Sequence, residues 1–564
     1  MPDFLTQLRD TVAGVPTAVE SVRVLRRAGL VRLNRPDEML RSLVAVRMLG
    51  PFAGAVRIAA RRDPRSIGLV DERGPLTFTE LDHRSNALAR AWRARGLAPG
   101  DAIGLLCRDH RGLLDSILAA AKLGVRGVLL NTGFAGRQLA DVAAREGISA
   151  IVYDEEFSPT VEALPDAVAR YLGWVDEAGP GPKAEVAGPG RKDVAAGAGR
   201  KPAGVPAIED LIRDTDDGDV RAPREPGGIV LLTSGTTGTP KGAPRQVRSA
   251  LAAAEFLDRV PYRRNEATAI CSPLFHATGL SQLVITLALA STTVLSRRFD
   301  GEAVLSRIAQ YRCTGLVVVP TMLQRILDLG EDVLSRYDTS SLRILFTAGS
   351  ALSPELGNRA SAAFGEVIYN LYGSTEVAVA TIATPDDWRS APGTVGSPPV
   401  GCRVHLYDRD GNRVQAPYRQ GQIFVGSGLT FAGYTSGESK EEIGGLMSTG
   451  DVGHFDDAGR LFIDGRADDM IVSGGENVYP GEVENLLVEH ENINDAAVVG
   501  VADPEYGQRL KAYVVLEPGS DLSPDDIRSY VKAHLARYKV PRDVAYTDAL
   551  PRNPTGKLLR HNLT

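Results

Sequence analysis

The sequence predicts an α/β protein built on mostly parallel sheets. Beyond Asp71, apolar segments typical of buried strands alternate with segments typical of helices. The strand candidates are Ile103–Cys107, Val125–Leu130 and Ala150–Tyr153, and the helix candidates are Leu113–Leu123 and Gln138–Glu146. Strands that alternate with helices form parallel sheets covered on both faces. The length of 564 residues predicts more than one domain.

The composition is that of a soluble globular protein, with 43% hydrophobic and 24% charged residues. The net charge of −6 argues against a general nucleic-acid binder. The four cysteines are far apart and form no Cys-x-x-Cys pair, so the sequence indicates neither a zinc site nor a disulfide framework. This cysteine usage fits a protein of the reducing cytoplasm. We expect no transmembrane helix, because no uninterrupted apolar run approaches 18 residues, and no signal peptide, because the N-terminus lacks a basic start followed by an apolar run.

The first 65 residues are basic. They hold twelve arginines and six acidic residues, a net charge of about +6. Val22–Val31 and Met39–Ala60 mix Leu, Val and Arg in the manner of amphipathic helices with basic edges. One interpretation is peripheral docking on the anionic inner face of a membrane. The other is a helical cap packed on the main domain, with its arginines in water.

A segment at about residues 179–204, GPGPKAEVAGPGRKDVAAGAGRKPAG, interrupts the α/β pattern. It is rich in Gly, Ala, Pro, Lys and Arg and has no apolar period. Such a composition predicts a disordered surface insertion, because it offers few side chains to a core.

A loop of glycines and hydroxyl residues follows the apolar strand candidate 228–232. It contains Thr233, Ser234, Gly235, Thr236, Thr237, Gly238 and Lys241. Glycines let backbone N–H groups turn toward an anion, hydroxyls add donors, and lysine adds a charge for phosphate oxygens. The loop differs from the P-loop of kinases and GTPases, because Pro240 and Gly242 flank Lys241 and a helix should not continue through it.

This loop resembles the first signature of the adenylate-forming superfamily, which includes acyl-CoA synthetases, luciferases and the adenylation domains of peptide synthetases. Further motifs repeat the resemblance in the family's order over roughly residues 65–560. They are Pro273-Leu-Phe-His276, Tyr369-Asn-Leu-Tyr-Gly-Ser-Thr-Glu376, Ser448-Thr-Gly-Asp451, the run from Arg466 to Pro480, and Pro551-Arg-Asn-Pro-Thr-Gly-Lys557.

The resemblance implies the domain organisation. A basic N-terminal extension (1–65) precedes a large AMP-binding domain of several subdomains (66–467), and a small, mobile α+β C-terminal domain (468–564) follows a hinge at Asp468. Within the C-terminal domain the sequence predicts a helix at Pro480–His490, strands at Asp495–Val501 and Leu510–Leu516, and a helix capped by Ser523 that runs to about Tyr538.

The resemblance also implies which residues bind ATP and AMP. The phosphates are assigned to the loop residues and Thr375, the ribose to Asp451 and Arg466, and the adenine pocket to Gly349, Ser350, Ala351, Asn370, Tyr372 and Gly373. Glu376 is the implied Mg²⁺ ligand, since Mg²⁺ prefers carboxylate and phosphate oxygens. The implied catalytic residues are Lys241, Glu376 and Lys557.

Acyl and coenzyme A contacts follow from the same resemblance. The acyl group is assigned to His276, Gly279, Gly373 and Val377, and coenzyme A to Gly474, Gly475 and Glu476. Amino-acid-activating relatives carry an aspartate near His276 that holds the substrate ammonium, and the run Phe-His-Ala-Thr-Gly has none. An uncharged acyl tail is therefore favoured.

The implied function is activation of a fatty acid with ATP and Mg²⁺ to acyl-AMP, followed by transfer to coenzyme A. The alternatives are an aryl or other carboxylate–CoA ligase, an acyl-AMP ligase that loads an acyl carrier protein, and a catalytically inactive acyl-adenylate-binding scaffold. Intact Lys241, Glu376, Asp451 and Lys557 argue against the scaffold. The implied partners are small-molecule substrates, with no nucleic acid.

Overall fold

A computed structural model describes residues 17–31, 36–176, 204–233, 241–244, 253–374, 377–428, 440–467, 469–473, 476–503, 507–553 and 556–563. The chain divides into two compact units. The first comprises Met1–Val318, Ser335–Leu345 and Gly428–Ser439, and the second comprises Val319–Leu334, Phe346–Ser427 and Lys440–Thr564. The domain boundaries expected after residues 65 and 467 stay predictions, and the predicted insertion lies almost entirely outside the described residues.

The first unit alternates strands and helices. Its helices are α1 (residues 17–27), α2 (Pro36–Arg62), α3 (Phe78–Ala94), α4 (Arg111–Leu123), α5 (Gly136–Glu146), α6 (Ser158–Val161), α7 (Ile208–Arg213), α8 (Ala253–Leu257), α9 (Ala277–Ala288) and α10 (Gly301–Tyr311). Its strands are β1 (Ile67–Asp71), β2 (Gly74–Thr77), β3 (Ala102–Leu106), β4 (Arg126–Leu129), β5 (Ile148–Asp154), β6 (Ala169–Trp174), β7 (Ile229–Thr233), β8 (Lys241–Pro244), β9 (Ala267–Ile270), β10 (Thr292–Val294) and β11 (Gly315–Val318).

Parallel pairing dominates this unit, as the sequence predicts. One sheet has the order β6–β5–β3–β4–β7–β8, and only the β7–β8 pair is antiparallel. In a second sheet β11, β9, β10 and β1 pair in parallel, and β2 returns antiparallel to β1. Strands β3, β4, β5, β9 and β11 are buried at almost every residue, because helices cover both faces of such sheets.

The two halves of helix α2 differ: the second half packs on the protein as a cap, and the first half is exposed. Its second half, from Leu49 onward, is mostly buried and packs against α3, α4 and α9, as a cap would. Arg57 is 7% exposed rather than in water, and its Nε lies 2.6 Å from Asp82 Oδ2. The first half carries five exposed apolar side chains, and the helix kinks at Gly50, where φ is 76° ahead of Pro51.

Length and composition mark one segment of the described chain, Leu40–Arg62, as long and apolar enough to cross a membrane. The sequence-based expectation of no such helix considered uninterrupted apolar runs only. The segment has a mean hydropathy of 1.5, and 56% of its most apolar window is buried within the protein. A core helix of a globular protein shows the same combination, so this finding alone is weak evidence for a membrane span.

The second unit contains mainly antiparallel sheets. Its helices are α11 (Pro320–Leu327), α12 (Glu331–Leu334), α13 (Pro354–Phe364), α14 (Pro385–Ser390), α15 (Pro480–Val488) and α16 (Pro524–His534). Its strands, of which the first begins in the other unit, are β12 (Ile344–Thr347), β13 (Ile368–Tyr372), β14 (Thr381–Ala383), β15 (Arg403–Tyr407), β16 (Arg413–Val414), β17 (Gly421–Gly426), β18 (Glu442–Ile443), β19 (Leu446–Phe455), β20 (Leu461–Arg466), β21 (Ile471–Ser473), β22 (Glu476–Val478), β23 (Ile493–Asp503), β24 (Gly507–Leu516) and β25 (Asp543–Tyr546).

The C-terminal elements confirm the predicted α+β pattern, with two corrections. Helix α15 ends at Val488 rather than His490, and α16 ends at His534 rather than Tyr538. The Ser523 cap is confirmed, since its side chain accepts the backbone N–H of Asp526. Leu535 is extended and packs against the apolar core of this region, which ends α16 early without a local Gly or Pro signal.

Candidate active site

The glycine- and hydroxyl-rich loop joins two paired strands. Thr233 at the end of β7 lies opposite Lys241 at the start of β8, in antiparallel register. The segment is therefore a hairpin, and no helix continues through Lys241, as Pro240 and Gly242 predict. Ser234, Gly235, Thr236, Thr237 and Gly238 lie outside the described residues, as do the side chains of Thr233 and Lys241, so their phosphate-binding role stays a prediction.

A cluster around a partly buried carboxylate lies where β13 and β19 approach each other. Tyr372 Oη lies 2.6 Å from Asp451 Oδ2, and Arg466 Nη1 lies 3.4 Å from Asp451 Oδ1. Asp451 and Arg466 face each other because β19 and β20 pair in register. Three residues that the sequence places in the adenine and ribose sites are thus brought together.

Sequence reasoning missed two members of this cluster. Thr449 Oγ1 lies 3.0 Å from Tyr372 Oη and accepts the backbone N–H of Asp451 at 3.1 Å. Lys440 Nζ donates to the Thr449 carbonyl oxygen at 3.4 Å. The signal for Thr449 was present, because it lies in the Ser448-Thr-Gly-Asp451 motif. Lys440 lies outside every quoted motif.

The electrostatics of the cluster suit a ligand that bears hydroxyl groups and negative charge. Burial raises the pKa of Asp451, and a hydrogen bond from Tyr372 and the charges of Arg466, Lys557 and Lys440 offset part of that rise. Burial and the neighbouring carboxylate hold the pKa of Tyr372 well above its usual value, so Tyr372 stays a hydroxyl donor. A carboxylate with oxygen acceptors held in place can accept two ribose hydroxyls.

The other predicted adenine residues lie in this unit. Asn370 is 3% exposed and its Nδ2 donates to the carbonyl oxygen of Thr394 at 3.3 Å. Gly349, Ser350 and Ala351 follow β12 and include exposed backbone, with Gly349 at φ 96°. Gly373 continues from β13, and Val377 is fully buried, with its carbonyl oxygen accepting from Ser427 Oγ. Thr375 and Glu376 lie outside the described residues.

Two hydrogen bonds between Asn553 and Lys557 hold the ends of the loop before Lys557 together. The Lys557 N–H donates to Asn553 Oδ1, and the Asn553 N–H donates to the Lys557 carbonyl oxygen, both at 2.9 Å. Gly556 has φ 77°, and a Cβ there would lie 2.5 Å from Thr321 Oγ1. Only glycine fits this close approach to α11 without strain. The Lys557 side chain is exposed, and its charge acts on Asp451.

The acyl motif lies in the first unit, at the start of α9. His276 is the N-cap residue of α9, and its ring lies 4.4 Å from that of Phe275. Burial lowers the pKa of His276 to about 4, so the imidazole is neutral at pH 7. His276 Nε2 is buried and has no hydrogen-bond partner among the described residues. A neutral ring with one vacant nitrogen fits a carboxylic substrate as a hydrogen-bond partner.

A turn after β3 holds this motif in place, and sequence reasoning gave no role to it. Asp109 Oδ1 accepts the backbone N–H of Leu274 at 3.1 Å, two residues before His276. The turn's other side chains are also held: Cys107 Sγ donates to Val152, Arg108 pairs with Glu156, and Arg111 pairs with Asp71. Asp109 was not detectable from the sequence, because its partner lies 165 residues away.

Cys107 and His110 of the same turn and Asp154 at the end of β5 form a buried group of potential metal ligands. His110 Nδ1 accepts the N–H of Gly112, and its Nε2 lies 2.8 Å from Asp154 Oδ1. Arg297 Nη2 also lies 4.0 Å from Asp154 Oδ2. Both imidazole nitrogens are occupied and an arginine adds positive charge, so a structural network explains these residues better than a cation site.

We expect the Asp109→Asn variant to be more heat-stable than the natural protein at pH 8, with a much smaller difference at pH 5. Burial raises the pKa of Asp109 to about 7. A raised carboxyl pKa means that the folded state holds a proton that the unfolded state has lost, so stability falls as pH rises from about 4 toward 7. Asparagine keeps the oxygen acceptor for Leu274 and cannot ionise.

Thermal unfolding of both proteins across pH 5–8 measures this difference. Asp141→Asn, at an exposed position of α5, is the matched control and should show no pH-dependent difference. Parallel pH profiles for the Asp109→Asn variant and the natural protein would contradict the assignment of a buried, protonated Asp109.

Three predicted C-terminal residues remain untested. Asp468, Gly474 and Gly475 lie outside the described residues. Glu476 begins β22, which pairs with β21 in the hairpin Ser473↔Glu476, and its side chain is not described. The hinge and coenzyme A assignments stay predictions.

The fold and these sites define an enzyme class. The parallel α/β unit and the second unit with its Tyr–Asp–Arg cluster agree with the adenylate-forming superfamily that the sequence motifs resemble. The family model described as AMP-binding enzyme matches residues 56–435, and that of its C-terminal domain matches residues 482–557. The chain belongs to the AMP-binding enzyme family.

Its relatives act on different acids. A 2-succinylbenzoate–CoA ligase from Bacillus pumilus is 30% identical, over 89% of this chain and 95% of the relative. A feruloyl-CoA synthase from Amycolatopsis is 31% identical, over 89% and 96%. A fatty acid–[acyl-carrier-protein] ligase, ScoC, from Streptomyces coeruleorubidus is 29% identical, over 89% and 94%.

Solved structures show the same fold. The anthranilate CoA ligase AuaEII, in complex with anthranoyl-AMP, has a TM-score of 0.78 and 25% identity, covering 90% of this chain and 96% of that one. The o-succinylbenzoate CoA synthetase from Bacillus subtilis, in complex with ATP and a magnesium ion, has a TM-score of 0.74 and 26% identity, covering 90% and 98%.

Proposed function

We propose that this protein is an AMP-forming carboxylate–CoA ligase, with a fatty acid as its substrate. In the first half-reaction a carboxylate oxygen attacks the α-phosphorus of ATP, the bond to the bridging oxygen breaks, and acyl-AMP and pyrophosphate result. In the second, the coenzyme A thiol attacks the acyl carbon, loses its proton, and displaces AMP. Positioning and charge neutralisation are the protein's contributions.

The observation that carries this proposal is the shared environment of Asp451 and Lys557. The Asp451 carboxylate accepts a hydrogen bond from Tyr372, and the positive charge of Lys557 in the last motif offsets part of the rise that burial causes in the pKa of the same carboxylate. A ribose held by Asp451 would leave the adjoining α-phosphate near a cation, which is what adenylation requires. Arg466 adds a second positive charge to the same group.

Each described group has a role in the proposal. Asp451 binds the ribose hydroxyls, Arg466 and Lys557 neutralise phosphate and carboxylate charge, and neutral His276 hydrogen-bonds the acyl carboxylate. Lys241 and its loop would hold the outer phosphates. Glu376 would hold Mg²⁺, which would neutralise phosphate charge.

The identity of the acid rests on the α9 region. Leu280, Leu283, Ile285 and Leu287 make α9 strongly apolar, and α9 itself, which begins directly after His276, contains no acidic residue that could hold an ammonium group. These features support a medium- or long-chain fatty acid. An aryl acid is the second candidate, because aryl-acid ligases stand beside a fatty-acid ligase among the relatives.

Pyrophosphate release with a panel of acids tests the proposal. Fatty acids, aryl acids and amino acids are each assayed with ATP and Mg²⁺, alone, with coenzyme A, and with a holo acyl carrier protein. The proposal expects acid-dependent release that coenzyme A increases, with acyl-CoA as the product. Stimulation by the carrier protein alone would favour the carrier-loading alternative, and no acid-dependent release would contradict ligase activity.

Peripheral contact with the inner face of a membrane is proposed for the exposed first half of α2. Leu40, Leu43, Val44, Val46 and Met48 are each at least 40% exposed, and they make up half of the exposed large hydrophobic side chains in the described chain. Arg41 and Arg47 lie among them and complement anionic lipid. The protein would otherwise be cytoplasmic.

Replacing Leu40 and Leu43 with serine should reduce binding to anionic vesicles by on the order of 10²-fold, since each leucine contributes roughly 1.5–3 kcal/mol when buried in lipid and about 1.4 kcal/mol is a factor of ten. Co-sedimentation with vesicles of phosphatidylglycerol and phosphatidylcholine measures the bound fraction, and high salt should lower it. Tyr418→Ser, at a residue 62% exposed elsewhere, is the control. Absence of binding by the natural protein would leave only the capping role.

A further inference from the structure

Gln282 on α9 has a buried side-chain amide that makes no hydrogen bond within the described part of the chain. Its side chain is 0% exposed, and neither Nε2 nor Oε1 has a hydrogen-bond partner among the described residues. Among the Asn and Gln side chains of the described residues, only Gln282 has both its amide nitrogen and its amide oxygen buried without a hydrogen-bond partner. Its backbone carbonyl is satisfied, since Thr286 Oγ1 donates to it at 2.7 Å. An unpaired buried amide costs several kcal/mol, so native proteins rarely retain one without a use.

Further unpaired polar atoms lie just before Gln282 in the chain. Ser272 Oγ and His276 Nε2 are also buried and without partners among the described residues. Gly279, in the first turn of α9, lies close against this segment, because a Cβ there would be 2.3 Å from the Ser272 carbonyl oxygen. Gly279 and Gln282 are one turn apart and share a face of α9. Unsatisfied hydrogen-bonding groups thus follow one another along the segment that carries the acyl motif.

We propose that Gln282 determines substrate specificity by hydrogen-bonding an oxygen on the acyl part of the substrate, either a hydroxyl or a keto group. This inference rests on the proposed carboxylate–CoA ligase function and narrows its substrate class. An amide can donate to and accept from such an oxygen at once. The substrate is then an oxygenated fatty acid rather than a plain hydrocarbon chain or, for the second candidate, an oxygenated aryl acid.

Helix geometry places the oxygen along the substrate. Gln282 follows His276 by six residues, a rise of roughly 9 Å at 1.5 Å per residue. If neutral His276 holds the carboxylate, the oxygen lies farther along α9 by about that rise, with the two side chains about 120° apart around the helix axis. The terminal hydroxyl of 8-hydroxyoctanoate and the ring hydroxyl of 4-hydroxycinnamate are at comparable distances from their carboxylates.

Matched acid pairs test this proposal. Octanoate is compared with 8-hydroxyoctanoate and cinnamate with 4-hydroxycinnamate, by kcat/KM for pyrophosphate release. We expect the natural enzyme to prefer the hydroxylated member of its better pair at least tenfold, because a site built to bind a hydroxyl rejects the analogue that lacks it. Gln282→Met, which keeps the side-chain shape, should remove that preference while leaving the KM for ATP unchanged.

The control is Ser281→Ala, one position away on α9, where the hydroxyl donates to the Thr278 carbonyl oxygen of its own helix. It should leave the preference intact. Because the preference is a ratio within each variant, a change in the folded fraction does not alter it. A ratio near one in the natural enzyme, or an unchanged ratio in Gln282→Met, would overturn the proposal.

Thermal unfolding gives a second readout that does not depend on turnover. Replacing an unpaired buried amide with an apolar side chain of similar shape should raise the unfolding temperature of the free protein. A lower unfolding temperature for Gln282→Met would mean that the amide has structural partners, and would contradict the proposal. Failure of the proposed function appears separately, as absence of acid-dependent pyrophosphate release from the natural protein.

Discussion

The Lys557→Ala variant should lose acyl-AMP formation by about 10²–10³-fold while largely retaining thioester formation from supplied acyl-AMP and coenzyme A. In adenylation the ammonium faces a carboxylate and an α-phosphate, both anionic, and one preorganised donor of this kind has about that effect on rate. The lysine's charge already acts on Asp451 in this conformation. Thioester formation starts from acyl-AMP and breaks no bond to phosphorus. It therefore does not need the lysine's positive charge next to the α-phosphate.

Structural damage is a poor explanation for such a loss. The Lys557 side chain is exposed, and the loop is held by backbone bonds with Asn553 that alanine retains. Lys532→Ala, at an exposed position of α16, is the matched control and should leave both half-reactions unchanged. Each half-reaction is measured in isolation. Equal loss of both in the Lys557 variant would contradict the proposed division of labour between the two steps.

The sequence predicted the fold where local chemistry decides it. Alternating apolar and amphipathic segments predicted the parallel sheets, and Pro240 and Gly242 around Lys241 predicted that no helix follows the loop; β8 pairs there instead. The Ser523 cap predicted the start of α16 correctly. Its end was wrong because Leu535 leaves the helix to pack in the core, and no Gly or Pro marks that position.

Only those residues of the candidate site that lie within a recognisable sequence motif could be predicted. Tyr372, Asp451 and Arg466 come from three separate motifs, and the pairing of β19 with β20 brings two of them together. Asp109 and Gln282 were not predicted, because residue type does not mark them. Asp109 matters through its hydrogen bond to Leu274, and Gln282 through its burial without a hydrogen-bond partner among the described residues. A glutamine within an amphipathic helix is usually a surface residue, so its full burial was visible only in three dimensions.

The Asp451→Asn variant should raise the KM for ATP and lower kcat/KM for ATP by on the order of 10²-fold, with little change in the KM for the acid. A carboxylate accepts two ribose hydroxyls, and each charge-assisted hydrogen bond contributes about 1.5–3 kcal/mol. Asparagine offers one acceptor oxygen, which Tyr372 already engages at Oδ2 in the natural protein. The nucleotide then loses at least one strong bond.

Folding should survive this change. Burial raises the pKa of Asp451, which means that the folded protein disfavours its charge, so a neutral amide of the same shape should unfold at no lower temperature. Asp457→Asn, in the exposed turn of the same β19–β20 hairpin, is the matched control and should bind ATP normally. A folded Asp451→Asn variant with an unchanged KM for ATP would remove Asp451 from the ribose site and leave it as a structural partner of Tyr372.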